Sequence, residues 1–210
     1  MAVNPDGLRA CPFSVRFARS LTWFLALALA GCATLPPPSP LPSAARLETP
    51  LQIKSFHLSG RIGTKYQGEG FYGNLRWRHS PSADEIFILS PLGQGVAQIV
   101  QDASGVTLTT SEPRVYHAED AEDLTMEVLG WRLPLAGLRY WVLGLAAPGS
   151  AAAVSRDASG RPARLVQDAW QIDYQGFEAV RGVSLPRKIE MRRGELEIKL
   201  VVDRWDIADR

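Results

Sequence analysis

Ile86-Phe87-Ile88-Leu89-Ser90-Pro91-Leu92-Gly93-Gln94-Gly95-Val96-Ala97-Gln98-Ile99-Val100 is a pair of apolar runs separated by turn residues. Short runs of this kind, rich in β-branched and aromatic residues, read as strands, and the brief break between them makes a hairpin. Residues 86–89 are apolar at every position, as in a strand covered on both faces, and 96–100 is the returning strand. Pro91 suits the second position of a turn because its φ is already set, and Gly93 accepts the positive φ such turns often need. Leu92 lies between them with no core to enter. A single exposed leucine is ordinary on a protein surface, so the turn alone assigns it no role. The hairpin does decide what the rest of the chain must supply: more strands, and something to cover an apolar sheet face.

Both flanks supply strands. Phe56, Leu58, Gly60 and Ile62 alternate with polar residues, as do Phe71, Gly73, Leu75 and Trp77, giving two half-buried strands before the hairpin. After it, Val106-Thr107-Leu108-Thr109 follows the turn Asp102-Ala103-Ser104-Gly105. Then the period changes. Residues 118–129 are predicted helical, with Glu119, Asp120, Glu122 and Asp123 near the start, where carboxylates suit the helix dipole, and Gly130 as the stop. A calcium loop would need a regular oxygen spacing and a central glycine, which this acidic run lacks. A second helix is predicted from Pro134, with Leu135, Leu138, Trp141, Val142 and Leu145 at spacings of three and four.

Strands resume to the end. Ala163-Arg164-Leu165-Val166 is a short one; Trp170, Ile172 and Tyr174 alternate with polar residues; and 186–191 pairs through Arg192-Arg193-Gly194 with 195–203. The predicted class is mainly β with two central helices: a curved antiparallel sheet or open barrel with the helices over its mouth or one face.

The N-terminus belongs to export. Arg9, Arg16 and Arg19 form a basic region ahead of an apolar stretch at 21–30, too short to span a bilayer as a mature helix. Leu29-Ala30-Gly31-Cys32 resembles the bacterial lipoprotein box, which implies removal of residues 1–31 and a diacylglyceryl group on the Cys32 thiol, the one covalent lipid expected. Cys11 lies in the removed segment, so the mature chain has no possible internal disulfide and Cys32 serves as an anchor. Lipoproteins kept at the inner membrane typically carry Asp after this cysteine. Ala33 stands here, which implies the outer membrane. Prolines 36, 37, 38, 40, 42 and 50 make residues 32–50 an extended tether, and 51–210 are expected to form a single domain.

Composition excludes several classes. The whole chain carries a net charge of +1, and the mature part has twenty basic against twenty-one acidic residues. Without a basic stripe, nucleic acid is not an expected partner. His57, His79 and His117 share no register with a serine and a carboxylate, and no Cys and His set has metal spacing. Gly68-Glu69-Gly70-Phe71-Tyr72-Gly73 spells G-x-G-x-x-G but runs into a strand, where a dinucleotide site needs a helix. No enzyme, metal or cofactor is therefore expected. What is abundant is large apolar side chains: five tryptophans in the mature chain, at 77, 131, 141, 170 and 205. Periodicity does not separate a filled interior from one hollow enough for acyl chains.

The lipoprotein box with Ala33, Ser90-Pro91-Leu92-Gly93, the runs 116–124, 133–135 and 138–145, and the ending 196–205 together resemble the LolB family of outer-membrane lipoproteins. The resemblance covers residues 52–205. It implies an unclosed antiparallel barrel with a helical lid over an apolar cavity, for which Phe71, Leu75, Trp77, Ile88, Leu138, Trp141 and Leu145 are the candidate lining. It also implies a non-enzymatic acceptor that takes acylated lipoproteins from a periplasmic, LolA-like carrier and inserts them into outer-membrane lipid, with Leu92 touching the bilayer. A monomer is expected. Two other readings stay open: a soluble carrier of the same pathway, and a structural or assembly lipoprotein with a filled core and no ligand.

Overall fold

The computed structural model describes residues 49–207. The expected signal peptide, Cys32 and the tether up to residue 48 lie outside the described residues. A 3₁₀ turn at Pro50–Gln52 leads into strands β1 (Phe56–Tyr66), β2 (Glu69–His79), β3 (Asp84–Leu89), β4 (Gly95–Asp102), β5 (Gly105–Thr110) and β6 (Val115–Ala118). Helices α1 (Ala121–Leu129) and α2 (Leu135–Trp141) follow, and then β7 (Ala152–Arg156), β8 (Pro162–Gln167), β9 (Trp170–Val180), β10 (Val183–Arg193) and β11 (Leu196–Ile207). Each half is a meander of neighbouring antiparallel strands. The halves join where β1 pairs with β11, so that one sheet runs β6-β5-β4-β3-β2-β1-β11-β10-β9-β8-β7. The sheet curves without closing, and β6 and β7 are its free edges.

Alternation decides which face is inside. Phe56, Leu58 and Ile62 of β1, Leu75 and Trp77 of β2, Ile86 and Ile88 of β3, and Leu196, Ile198 and Leu200 of β11 are all buried on one face. Their polar neighbours along each strand point the other way, as a period of two requires. Residues 86–89 differ from the expectation of two covered faces: Ile86 and Ile88 are buried, but Phe87 is 37% exposed and Leu89 only half-buried. An antiparallel sheet with helices on one side leaves its other side to solvent. Gly73 explains part of the glycine motif, since a Cβ there would stand 2.3 Å from the Leu89 carbonyl oxygen and collide with the Phe71 ring. It is a packing glycine, not a phosphate-binding one.

The helices are shorter than their apolar spacing predicts. Asp120 caps α1 by accepting a hydrogen bond from the Asp123 N–H at 3.0 Å, so the helix starts at Ala121, and Ala118 ends β6 instead. Helix α2 stops at Trp141 because Gly144, at φ 78, turns the chain away, leaving Leu145 in the following loop. Strands β6 and β7 go beyond the predicted elements: β6 is short, and every residue of β7 is exposed, so neither shows a one-sided apolar pattern.

Candidate functional site

Leu92 sits at the tip of the β3–β4 turn and is 89% exposed, the most exposed large apolar side chain among the described residues. Hydrogen bonds of the turn hold it there. The Gly93 N–H donates to the Ser90 carbonyl at 2.9 Å, and the Ser90 N–H donates to the Gln94 carbonyl at 2.7 Å. Asn74 of β2 donates from its side-chain amide to the Ser90 carbonyl at 3.2 Å, which fixes the turn to the neighbouring strand. Gly93 takes φ 84, and Pro91 is exposed beside Leu92. Five consecutive exposed residues, 91–95, place the leucine in solvent without local cover. Burying such a side chain in lipid gains roughly 1.5 to 3 kcal/mol. That is too little to anchor a protein and enough to bias where a tethered one touches a membrane.

The seven candidate lining residues meet on the inner face. Leu75, Trp77, Ile88, Leu138 and Trp141 are buried in one apolar cluster, with Phe71 and Leu145 half-buried at its margin. The rings stack as a packed core: Phe56 and Trp77 meet edge to face at 5.1 Å, and Trp141 lies 5.9 Å from Trp170. Here these side chains pack on one another, so any acyl chain entering must displace them.

Helix α2 bridges the two halves of the sheet, and it is held unequally. Toward β8 and β9, the Trp141 indole N–H donates to the Gln167 side-chain carbonyl at 2.9 Å. Gln167 is itself buried; its carbonyl also accepts from the Ala147 N–H, and its amide donates back to the Ala147 carbonyl at 2.7 Å. The Tyr174 hydroxyl donates to the Trp141 carbonyl at 2.9 Å, and burial pushes its pKa well up, so it stays a neutral donor. Toward β3, among the described residues, there is one long ion pair, Arg139 to Asp84 at 3.9 Å, and the Arg139 Nε is buried without a partner. Asp84 is otherwise satisfied by the Trp77 indole at 2.9 Å and by His79 Nδ1 at 2.7 Å. Sequence reasoning missed Asp84, Arg139 and Gln167, because an acid in a Ser-Ala-Asp-Glu stretch and a glutamine beside a turn both look solvated.

Taken together these features define an open antiparallel half-barrel with a helix across its apolar face and a leucine held out at its rim. Comparison with known proteins gives the family. The model of the family described as outer membrane lipoprotein LolB matches residues 54–205. The chain is 44% identical over 184 residues to the outer-membrane lipoprotein LolB of Thiobacillus denitrificans, covering 88% of this chain and 95% of that one. It is 45% identical over 152 residues to that of Nitrosomonas europaea, covering 71% and 72%. A solved LolA superfamily protein from Nitrosomonas europaea superposes with a TM-score of 0.48 at 14% identity, over 76% of this chain and 88% of that one. The chain belongs to the LolB family and is an outer-membrane lipoprotein.

Proposed function

We propose that the protein is the outer-membrane acceptor for newly made lipoproteins. It takes them from a LolA-like periplasmic carrier, holds their acyl chains against its inner apolar face, and releases them into the membrane beside the Leu92 turn. Cys32 carries the lipid that keeps it at the periplasmic face of that membrane. The observation that carries this reading is the pairing of an exposed Leu92, held out by a hydrogen-bonded turn, with an apolar interior under a bridging helix. Transfer needs no covalent step, nucleotide or metal: an acyl chain moves from one apolar site to the next, driven by the area it removes from water. Leu75, Trp77, Ile88, Leu138 and Trp141 supply that area, and Phe71 and Leu145 stand at its margin.

The test is a reconstitution. Lipidated protein in vesicles receives a carrier loaded with an acylated lipoprotein, and membrane-inserted cargo is counted. Insertion that depends on this protein is expected; cargo that stays on the carrier would refute the role. A Cys32→Ser chain distinguishes an anchored acceptor from a soluble carrier, since it should still strip the carrier but deliver to vesicles poorly.

A further inference from the structure

The outer face of the sheet carries a second site. Strands β11, β1, β2 and β3 form an open groove of about 420 Å³ there, on the side opposite the helices. Two cross-strand rows line it. Phe87, Arg76, Ser59 and Arg204 lie opposite one another across β3, β2, β1 and β11, and Glu85, Arg78, His57 and Asp206 form the next row. The charges of the two rows are not used alike. Arg78 is committed to Glu85 at 3.1 Å, and Gln98 also donates to Glu85 at 3.1 Å. Arg76 and Arg204 have no hydrogen-bond or ion-pair partner among the described residues, and both are exposed. They flank Ser59 one strand away on either side, so their Cα atoms stand about 10 Å apart and both guanidinium groups can reach an anion above the Ser59 hydroxyl. The remaining acid, Asp206, faces His57 in the second row, a further two residues, or roughly 7 Å, along the strand.

The groove continues toward the turn. Phe87 and Leu89 are successive outer-face residues of β3, Leu89 is the last residue before the turn, and Tyr72, 77% exposed, lies on β2 beyond Asn74. Along β3, Phe87 and Leu89 therefore lead from the arginine row to the turn that carries Leu92. One pole is cationic and the other apolar, which matches a phosphate headgroup with its acyl chains. The mature net charge of −1 means that any attraction to anionic lipid is local to this face.

We propose that this groove binds the phosphate of an anionic phospholipid in the bilayer that the Leu92 turn enters, an inference that rests on the reading of that turn given above. Arg76 and Arg204 hold the phosphate, and Phe87 and Leu89 lie along the first part of the acyl chain. The protein then meets the membrane at two points, a leucine in the hydrocarbon and an arginine pair on the headgroups, which fixes how the sheet stands on the bilayer.

The test uses full-length lipidated protein with a photoreactive phenylalanine at Phe87, reconstituted in vesicles containing phosphatidylcholine and phosphatidylglycerol in equal amounts. Cross-linking to phosphatidylglycerol is expected to exceed that to phosphatidylcholine by roughly fivefold or more, since each basic residue near an anionic surface contributes about that factor. The preference should vanish in Arg76→Gln/Arg204→Gln. It should also collapse as salt rises from about 0.01 M to about 1 M and the screening length falls from about 30 Å to about 3 Å. Equal yields for the two lipids, a preference surviving the double substitution, or cross-links to the carrier in place of lipid would each overturn the proposal. Leu92→Glu in the same vesicles separates the two readings. If that variant inserts cargo normally, the turn reading falls; if it fails while cross-linking shows no dependence on charge, only the headgroup site falls.

Discussion

Leu92 is a residue whose exposure has no structural benefit, and its neighbours are spent on keeping it exposed. Ser90 and Asn74 hold the turn with hydrogen bonds, while Pro91 and Gly93 give it shape. Leu92→Glu should therefore leave stability within about 0.5 kcal/mol, as for surface substitutions generally, while vesicle insertion of cargo falls and removal of cargo from the carrier continues. Equal loss of both steps in that variant would show that the turn acts in receipt and not in release. Gln167 presents the opposite case, a buried polar residue satisfying several groups at once. Gln167→Leu should lower the unfolding free energy measured in urea by about 1 to 3 kcal/mol, because the Trp141 indole and the Ala147 amide lose their acceptor. A leucine tolerated there without loss would mean that the region around α2 is already solvated.

At the scale of elements, α2 is fastened among the described residues to β8 and β9 by two hydrogen bonds and to β3 by one long ion pair. Opening of the interior should begin on the β3 side. Arg139→Gln is expected to raise the rate at which a fluorescent acyl probe enters, whereas Gln167→Leu changes stability first; a slower entry in Arg139→Gln would contradict this hinge. The outer face of β8 to β10 carries an acid-sensitive cluster. Burial alone would raise Asp173, but hydrogen bonds from Arg164 and Gln171 hold it below the usual carboxylate range. Burial likewise opposes ionisation of Glu190, yet the hydrogen bond from Lys188 and the surrounding cations outweigh it and hold that carboxyl low as well. Arg192 bridges the two acids at 3.2 and 2.7 Å. Both folded values lie below the unfolded ones. Their stabilisation is thus complete above about pH 5 and disappears as pH falls through the lower folded values. Urea midpoints should drop on acidification below about pH 5, and Asp173→Asn should flatten that drop.

The strands are legible in the sequence wherever one face is buried: β1, β2, β9 and β11 announce themselves by alternation. Strands β6 and β7 are not, because an edge strand with an exposed or half-exposed surface has no apolar period to read. The spacing of Leu145 from Trp141 is helical, yet a positive-φ glycine between them ends α2 first. The stretch around Leu92 is legible as a turn, and its exposure follows. The paired arginines of the outer face are not, since Arg76 and Arg204 are far apart in the chain and only the β1–β11 pairing brings them to the same row.

The described residues are arranged about their first strand, which joins the two halves of the sheet. Arg61 of β1, Asn74 and Leu89 share a row next to the turn, and Phe56 lies five residues further along β1, or about 17 Å at strand spacing. The proposed function requires a lipid on Cys32 and the Leu92 turn to share one bilayer, joined by the proline-rich sequence 34–50. Deleting residues 35–44 should therefore reduce delivery to the anchoring membrane and leave removal of cargo from the carrier intact; unchanged delivery would mean that the turn works on a different membrane. In the proposed function the inner face holds the acyl chains of the cargo. A cargo lipoprotein carrying a photoreactive acyl chain, cross-linked while on this protein, should label the interior residues around Trp77, Ile88, Leu138 and Trp141. Labels confined to the outer face, or no acyl label at all, would contradict it.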